Sequence, residues 1–293
     1  MASVTVRVPG TSANIGPGFD SLGCAFNIYN MLTFAHAANT TVTGCPAAYA
    51  NEDNLALVAF RAACRRAGRE PCPVSLHIET NVPVSRGLGS SATLFVGGAV
   101  GANHLLSLGL STWDIFEIAN ELEGHPDNVA PAVFGGFTAC LQKDGKPYAA
   151  PVPIHPSYRF CAFVPDFELT TQAARSVLPS GISFSDAVTN GTHVAVLLSA
   201  LISGDHALLG VALDDRLHEP YRRPLIPGFD LARGAAIECG ASAFFISGSG
   251  STLMAIYQND AFLDAVAARM AALLPTWRVL PLEIDRVGAT VVA

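Results

Sequence analysis

Pro83-Val84-Ser85-Arg86-Gly87-Leu88-Gly89-Ser90-Ser91-Ala92 is the stretch on which the fold turns. Ahead of it, Val74 to Glu79 alternates apolar and polar residues as a strand does. After it, Ala92–Ala102 is almost wholly apolar and reads as a buried helix that opens at Ser90 or Ser91. A strand, a glycine-rich loop and a helix start therefore follow one another. Glycines let a backbone approach a bulky anion closely. The helix N-terminus adds unpaired N–H groups and about half a positive charge. A triphosphate needs such a cradle, although a plain glycine turn with a serine cap has the same ten-residue signature.

Composition narrows the setting. The chain has 293 residues, half of them hydrophobic and 14% charged, enough for two packed lobes with a large interior. Its net charge of -7 argues against nucleic acid as a partner. Lys143 and Lys146 are the only lysines and flank Asp144-Gly145 in a hairpin turn; every other cation is arginine. No Walker-type lysine loop occurs, so phosphate donors must be backbone N–H groups, arginines and a metal ion. Seven cysteines without a C-x-x-C pair suggest reduced thiols and a cytoplasmic setting. Met1 to Gly10 reads as a strand and not as a signal peptide. The apolar windows Ala92–Ala102 and Val194–Ile202 fall well short of the ~20 residues that a membrane span needs, and both read as buried helices.

Along the chain, Val4–Val8 reads as a strand followed by a glycine-rich turn, Gly10 to Gly18. Asn54–Gly68 and Ser111–Glu123 carry helical apolar spacing, with Ser111 or Thr112 as cap of the second. Lys143 to Pro156 contains four prolines and is the candidate junction between lobes 1–155 and 156–293. Beyond it, strands Phe160–Val164, Ser242–Ile246 and Thr252–Tyr257 interleave with helices at Thr171–Val177, Ser185–Ser203, His206–Leu217 and Asp260–Leu274. Interleaving in both halves gives an α+β or α/β class.

Three further segments carry polar groups at turns. Gly10-Thr11-Ser12-Ala13-Asn14-Ile15-Gly16-Pro17-Gly18-Phe19-Asp20 places an amide and a carboxylate where they can bind a polar substrate or form a surface Asx turn. Glu123-Gly124-His125-Pro126-Asp127-Asn128 crowds polar groups after a helix that Gly124 is suited to stop. Ser247-Gly248-Ser249-Gly250-Ser251-Thr252 permits a tight turn between two strands whose N–H groups can meet an anion. Glu117 lies off the apolar stripe of its helix and on periodicity reads as a solvated acid. Signatures of serine hydrolases and zinc sites are missing.

Taken in order, these motifs resemble the GHMP family of small-molecule kinases. Pro83–Ala92 is similar to its phosphate loop, P-x-x-x-G-L-G-S-S-A, and Ser247–Thr252 to its C-terminal motif. Val6–Gly23, His125–Pro131, Thr171–Arg175 and Glu219–Arg222 resemble the branch of that family that phosphorylates homoserine. The resemblance runs from Val6 to at least Met254.

It implies an α+β, two-lobed fold, with an N-terminal lobe of the ribosomal-protein-S5 type and a ferredoxin-like C-terminal lobe. It also implies transfer of the ATP γ-phosphoryl group to the hydroxyl of L-homoserine with Mg2+, and it suggests a homodimer. By position, Ser91 and Glu117 match the magnesium ligands. The backbone of Gly87, Leu88, Gly89, Ser90 and Ser91 matches the triphosphate cradle, Asn54 an adenosine contact, and Pro83, Arg86 and Ala92 complete the ATP-binding stretch, with Arg86 a departure from the family pattern. Asn14, Asp20, His125, Asn128, Thr171, Arg175, Arg222 and Gly248 match substrate contacts. Two arginines suit a carboxylate, and Asp20 with Asn14 suits an ammonium. Asn128 stands where relatives such as mevalonate kinase place an aspartate base, and an amide cannot take a proton. Either Asp127 substitutes or, the reading preferred here, no side-chain base is used. Another alcohol or a non-catalytic nucleotide-binding regulator are the competing functions; an uncharged alcohol would not need Arg175 and Arg222.

Overall fold

A computed structural model describes residues 3–292. The first lobe runs β1 (Ser3–Ala13), β2 (Leu22–His36), β3 (Thr41–Thr43), α1 (Leu55–Arg66), β4 (Val74–Thr80), α2 (Ser90–Leu105), α3 (Thr112–Glu123), α4 (Pro126–Phe134), β5 (Phe137–Lys143) and β6 (Lys146–Val152). The second runs β7 (Arg159–Val164), α5 (Thr171–Ser176), α6 (Phe184–Ser203), α7 (His206–Ala212), α8 (Glu219–Arg222), α9 (Phe229–Glu238), β8 (Ala243–Ile246), β9 (Leu253–Tyr257), α10 (Ala261–Leu273) and β10 (Arg278–Leu282). A last strand, β11 (Thr290–Val292), follows.

Seven strands form the first sheet, β11-β1-β2-β4-β3, with β5 paired to β2 and β6 to β5. Four antiparallel strands, β10-β7-β9-β8, form the second. The α+β class and the two lobes are as expected. The boundary is not simply at residue 155: β11 leaves the second lobe and pairs with β1, Thr5 opposite Val292. The proline-rich segment is also more ordered than a linker, since β6 occupies its first half and closes the Lys143–Lys146 hairpin onto β5.

Local chemistry explains the helix ends. In α3, the Ser111 side chain accepts the Asp114 N–H while Asp114 accepts the Ser111 N–H, a reciprocal capping box. Gly124 ends the helix at φ 89°, a left-handed position that glycine takes without steric cost. Ile115, Ile118 and Ala119 are buried, as their spacing predicts. The apolar window of α2 is buried against α1 and the first sheet, but that of α6 is only half buried: Leu197, Ala200 and Leu201 face the core while Val196 and Ile202 face solvent.

β1 is longer than the sequence suggests. Gly10–Ala13 continues the strand after a register shift at Pro9/Gly10, and the turn begins only at Asn14. There, Asn14, Ile15 and Gly16 all have left-handed φ, at 71°, 51° and 66°. Such a run reverses the chain sharply and is sterically costly for a β-branched residue. Burial of Ile15 in the core between the two lobes holds it in place. That core joins Leu22, Phe26, Val82 and Leu88 of the first lobe to Phe160, Leu197, Phe245 and Met254 of the second.

Candidate active site

A cavity of about 450 Å³ opens where the two lobes meet. It collects the turn after β1, the phosphate-loop segment, the α3–α4 junction, α5, α8 and the Ser247–Thr252 turn. Of the residues marked by the sequence, Asn14, Asp20, Asn54, Arg86, Gly87, Gly89, Ser90, Ser91, His125, Asp127, Asn128, Thr171, Arg175, Arg222 and Gly248 line it. Pro83, Leu88, Ala92 and Glu117 do not. Leu88 and Ala92 are buried in the cores on either side, and Pro83 borders a second cavity behind the loop.

Two glycines explain the shape of the phosphate loop. Gly89 caps α2 with φ 68°, and a Cβ there would stand 2.0 Å from Thr11 Oγ1. Gly87 has φ 73°, and a Cβ there would stand 2.1 Å from the Ser247 carbonyl oxygen. Only a backbone without a side chain passes between β1 and the second lobe here. Ser247 Oγ donates to the Gly87 carbonyl at 2.6 Å, and Thr252 N–H donates to the Arg86 carbonyl at 3.1 Å. The Arg86 guanidinium donates to the carbonyls of Val84, Pro165 and Asp166, each at 3.0 Å. Arg86 therefore ties the loop to the second lobe instead of standing free for phosphate. Asn54 is similarly committed: its Oδ1 caps α1 at the Ala56 N–H and its Nδ2 donates to the Tyr49 carbonyl.

The expected acidic partner of Ser91 is corrected by the geometry. Glu117 lies on the outer face of α3, half exposed, and accepts from Arg66 of α1 at 2.9 Å; Glu121 accepts from the same arginine at 2.7 Å. Glu123, six residues on and roughly 240° around the helix, is the acid that faces the loop. Ser91 Oγ donates to Glu123 Oε1 at 2.6 Å. Burial pushes the Glu123 carboxyl above its ordinary range, partly offset by the Ser91 hydrogen bond. A serine hydroxyl and a carboxylate so placed form a hard oxygen pair of the kind that magnesium uses together with phosphate oxygens. Among the described residues no cluster of three or more His, Cys, Asp or Glu could hold a metal ion by itself.

Next to this pair, His125 Nδ1–H donates to Asp127 Oδ1 at 2.7 Å, and the Asn128 N–H donates to the same oxygen at 2.9 Å. Burial lowers the His125 pKa, but the Asp127 hydrogen bond and charge outweigh it and leave it raised. Asp127 is only 2% exposed, and both donors meet its Oδ1.

The far end of the cavity is cationic. Arg175 grips Asp20 with two hydrogen bonds, at 2.7 and 3.3 Å. Arg222 is 1% exposed. Its guanidinium donates to the carbonyls of Ala174 and Gly248 and faces His218 Nδ1; among the described residues it bonds no carboxylate. Burial, then repulsion from Arg175, pulls it down to about 10, which still leaves it cationic at neutral pH. Asn14 Nδ2 donates to the Gly248 carbonyl at 2.8 Å, and Asn14 Oδ1 accepts the Asp20 N–H at 3.0 Å. Phe19 lies between Arg175, Arg222 and the His218 ring.

Models of the GHMP kinases N terminal domain and the GHMP kinases C terminal domain match residues 54–136 and 197–276. The chain belongs to the GHMP kinase family. Among its relatives, a homoserine kinase of Clostridium beijerinckii is 40% identical over 293 residues, spanning 99% of this chain and 98% of that protein. A homoserine kinase of Synechococcus is 44% identical over 288 residues, spanning 96% of this chain and 93% of that one. The crystal structure of a homoserine kinase from Cytophaga hutchinsonii superposes with a TM-score of 0.90 at 28% identity, covering 100% of this chain and 98% of that one. Membership of this kinase family implies ATP as the co-substrate. The sequence reading assigned no role to Glu123, the last residue of α3, nor to the lining residues Asn30, Ile78, Thr80 and Leu94, which lie inside strands and helices.

Proposed function

We propose that this GHMP kinase is a homoserine kinase, transferring the γ-phosphoryl group of ATP to the side-chain hydroxyl of L-homoserine. The observation that carries this reading is Arg222, a guanidinium held inside the cavity without a carboxylate partner. An unpaired buried cation costs several kcal/mol, and an anionic substrate group relieves that cost. Arg175 and Asp20 form an adjacent pair of opposite charge. A zwitterionic amino acid satisfies all three: its carboxylate meets the guanidinium groups, and its ammonium meets Asp20 and Asn14. A neutral polyol satisfies none. The identity and coverage of the homoserine kinase relatives support the same acceptor.

Ser91 and Glu123 would hold Mg2+, which supplies charge neutralisation at the phosphates when bound. The Gly87–Ser91 backbone and the α2 N-terminus receive the phosphates, and Cys45, Pro46 and Tyr49 wall the end of the cavity left for the nucleoside. The hydroxyl oxygen of the acceptor forms the new bond to the γ-phosphorus while the bond to the β–γ bridging oxygen breaks, and the hydroxyl proton leaves to phosphate or water. This reading uses no side-chain base: Asp127 orients His125 through Oδ1, and Asn128 cannot accept a proton. The seven unpaired cysteines suit a reducing, cytoplasmic setting. No helix among the described residues is long and apolar enough to cross a membrane.

The test is ADP release from ATP and Mg2+ with L-homoserine, L-serine, L-threonine, mevalonate and shikimate. Turnover selective for homoserine is the expected result. Turnover on another of these alcohols in place of homoserine would keep the kinase and overturn the acceptor.

A further inference from the structure

Thr11 does not line the cavity, yet its side chain reaches a residue that does, Asn128. Thr11 is fully buried in β1. Its backbone N–H donates to the Leu88 carbonyl at 3.0 Å, and its hydroxyl lies 2.8 Å from Asn128 Oδ1. The Asn128 amide has two ends of opposite chemistry, and its surroundings decide which way it points. Asp127 Oδ1 lies 3.5 Å from Nδ2; a carboxylate oxygen tolerates an N–H there and repels a carbonyl. The nitrogen is therefore on the Asp127 side and the carbonyl on the Thr11 side. A hydroxyl can donate or accept, and beside a carbonyl oxygen it donates.

We propose that Thr11 is a positioning residue for phosphoryl transfer: by saturating the Asn128 carbonyl, it leaves the N–H end of that amide to face the acceptor alcohol and the transferred phosphoryl group. A donor at this point stabilises negative charge building on the reacting oxygens, whereas a free carbonyl would oppose it. The inference rests on the phosphoryl-transfer reading of the cavity. The contact to Leu88 is made by backbone, and the Thr11 side chain also packs beside Gly89, so KM for ATP is the readout that separates a disturbed loop from a lost Asn128 hydrogen bond.

Thr11→Val replaces the hydroxyl by a methyl group and keeps the backbone bond; Thr11→Ser keeps the hydroxyl. Both are assayed on whichever alcohol the wild-type chain phosphorylates, so that a wrong acceptor does not affect the outcome. Thr11→Val is expected to lower kcat by about 10- to 100-fold, with KM for ATP within about twofold, and Thr11→Ser to stay within about threefold of wild type. In an Asn128→Ala background, Thr11→Val should cause no further loss. The proposal is overturned if Thr11→Val leaves kcat intact, if its loss appears equally in KM for ATP and is not recovered by serine, or if the loss persists undiminished without Asn128. Where Asn128→Ala is too slow to assay, the valine and serine variants decide alone. A wild-type chain that phosphorylates no alcohol overturns both readings together.

Discussion

The Ser91 hydroxyl, in the first turn of α2, donates to Glu123 Oε1 at the last residue of α3 across 2.6 Å. Two helix ends thus bring together a hydroxyl and a carboxylate 32 residues apart at the mouth of the phosphate loop. Glu123→Gln should lower kcat by about 100-fold or more and raise the Mg2+ concentration needed for half-maximal rate. Glu117→Ala, which removes only an exposed pair with Arg66, should stay within about threefold of wild type, since surface pairs contribute roughly 0–1 kcal/mol. A magnesium titration of both variants separates the two acids, and equal losses would return Glu117 to the metal.

Arg222 is the buried cation that the substrate carboxylate is proposed to neutralise. Arg222→Met retains much of the volume and removes the charge. It should lower kcat/KM for homoserine by about 100-fold or more, reflecting a loss of roughly 3 kcal/mol. KM for ATP should change little. Steady-state kinetics with each substrate varied in turn checks the split, and an equal rise in both KM values would speak against a carboxylate contact.

Gly89 has the room only for hydrogen. Gly89→Ala adds a Cβ 2.0 Å from Thr11 Oγ1 at a left-handed φ of 68°. The chain should lose about 2 kcal/mol or more of stability, and nucleotide affinity should fall because the loop must shift. Urea unfolding with and without ATP measures both effects.

Glu219 gives a pH prediction. Its Oε1 accepts the Ile246 N–H at 2.7 Å, and burial, partly offset by that bond, pushes its carboxyl up to about 8. The folded state therefore prefers the neutral acid, while the unfolded chain ionises near pH 4.5. The unfolded state sheds its proton first, so this group's contribution to stability declines as pH rises from about 4.5 to about 8. Glu219→Gln keeps an oxygen for the Ile246 N–H and cannot ionise. It should flatten the dependence of Tm on pH in that window and raise Tm at pH 8. An unchanged slope would mean that Glu219 is already solvated.

The local signals in the sequence survived folding because local geometry fixes them. The Pro83–Ala92 loop, the Ser111 cap and the Ser247–Thr252 turn each need only a few neighbouring residues to be recognised. Glu117 and Glu123 show where that information ends. Glu117 lies off the apolar stripe of α3, whereas Glu123 falls four residues after Ala119 and eight after Ile115, on the buried side, and what each acid meets there, Arg66 or Ser91, is set by other helices. Glu123 carried one local hint, its place at the helix end beside His125 and Asp127. β2, fifteen residues long, was not legible because its buried and half-buried residues follow no strict alternation. β11 is three residues whose only reason to be a strand is the far end of the chain.

Ile15, Leu22 and Phe26 pack in one interior with Phe160, Phe245 and Met254, and β11 pairs with β1. For recombination between relatives, this makes the proline-rich segment near residue 153 a misleading crossover point. A chimaera joined there would take one half of a shared interior from each parent and ask a foreign β11 to finish the first sheet. The unit that family members can exchange without loss is the whole chain or a single surface element, not a lobe.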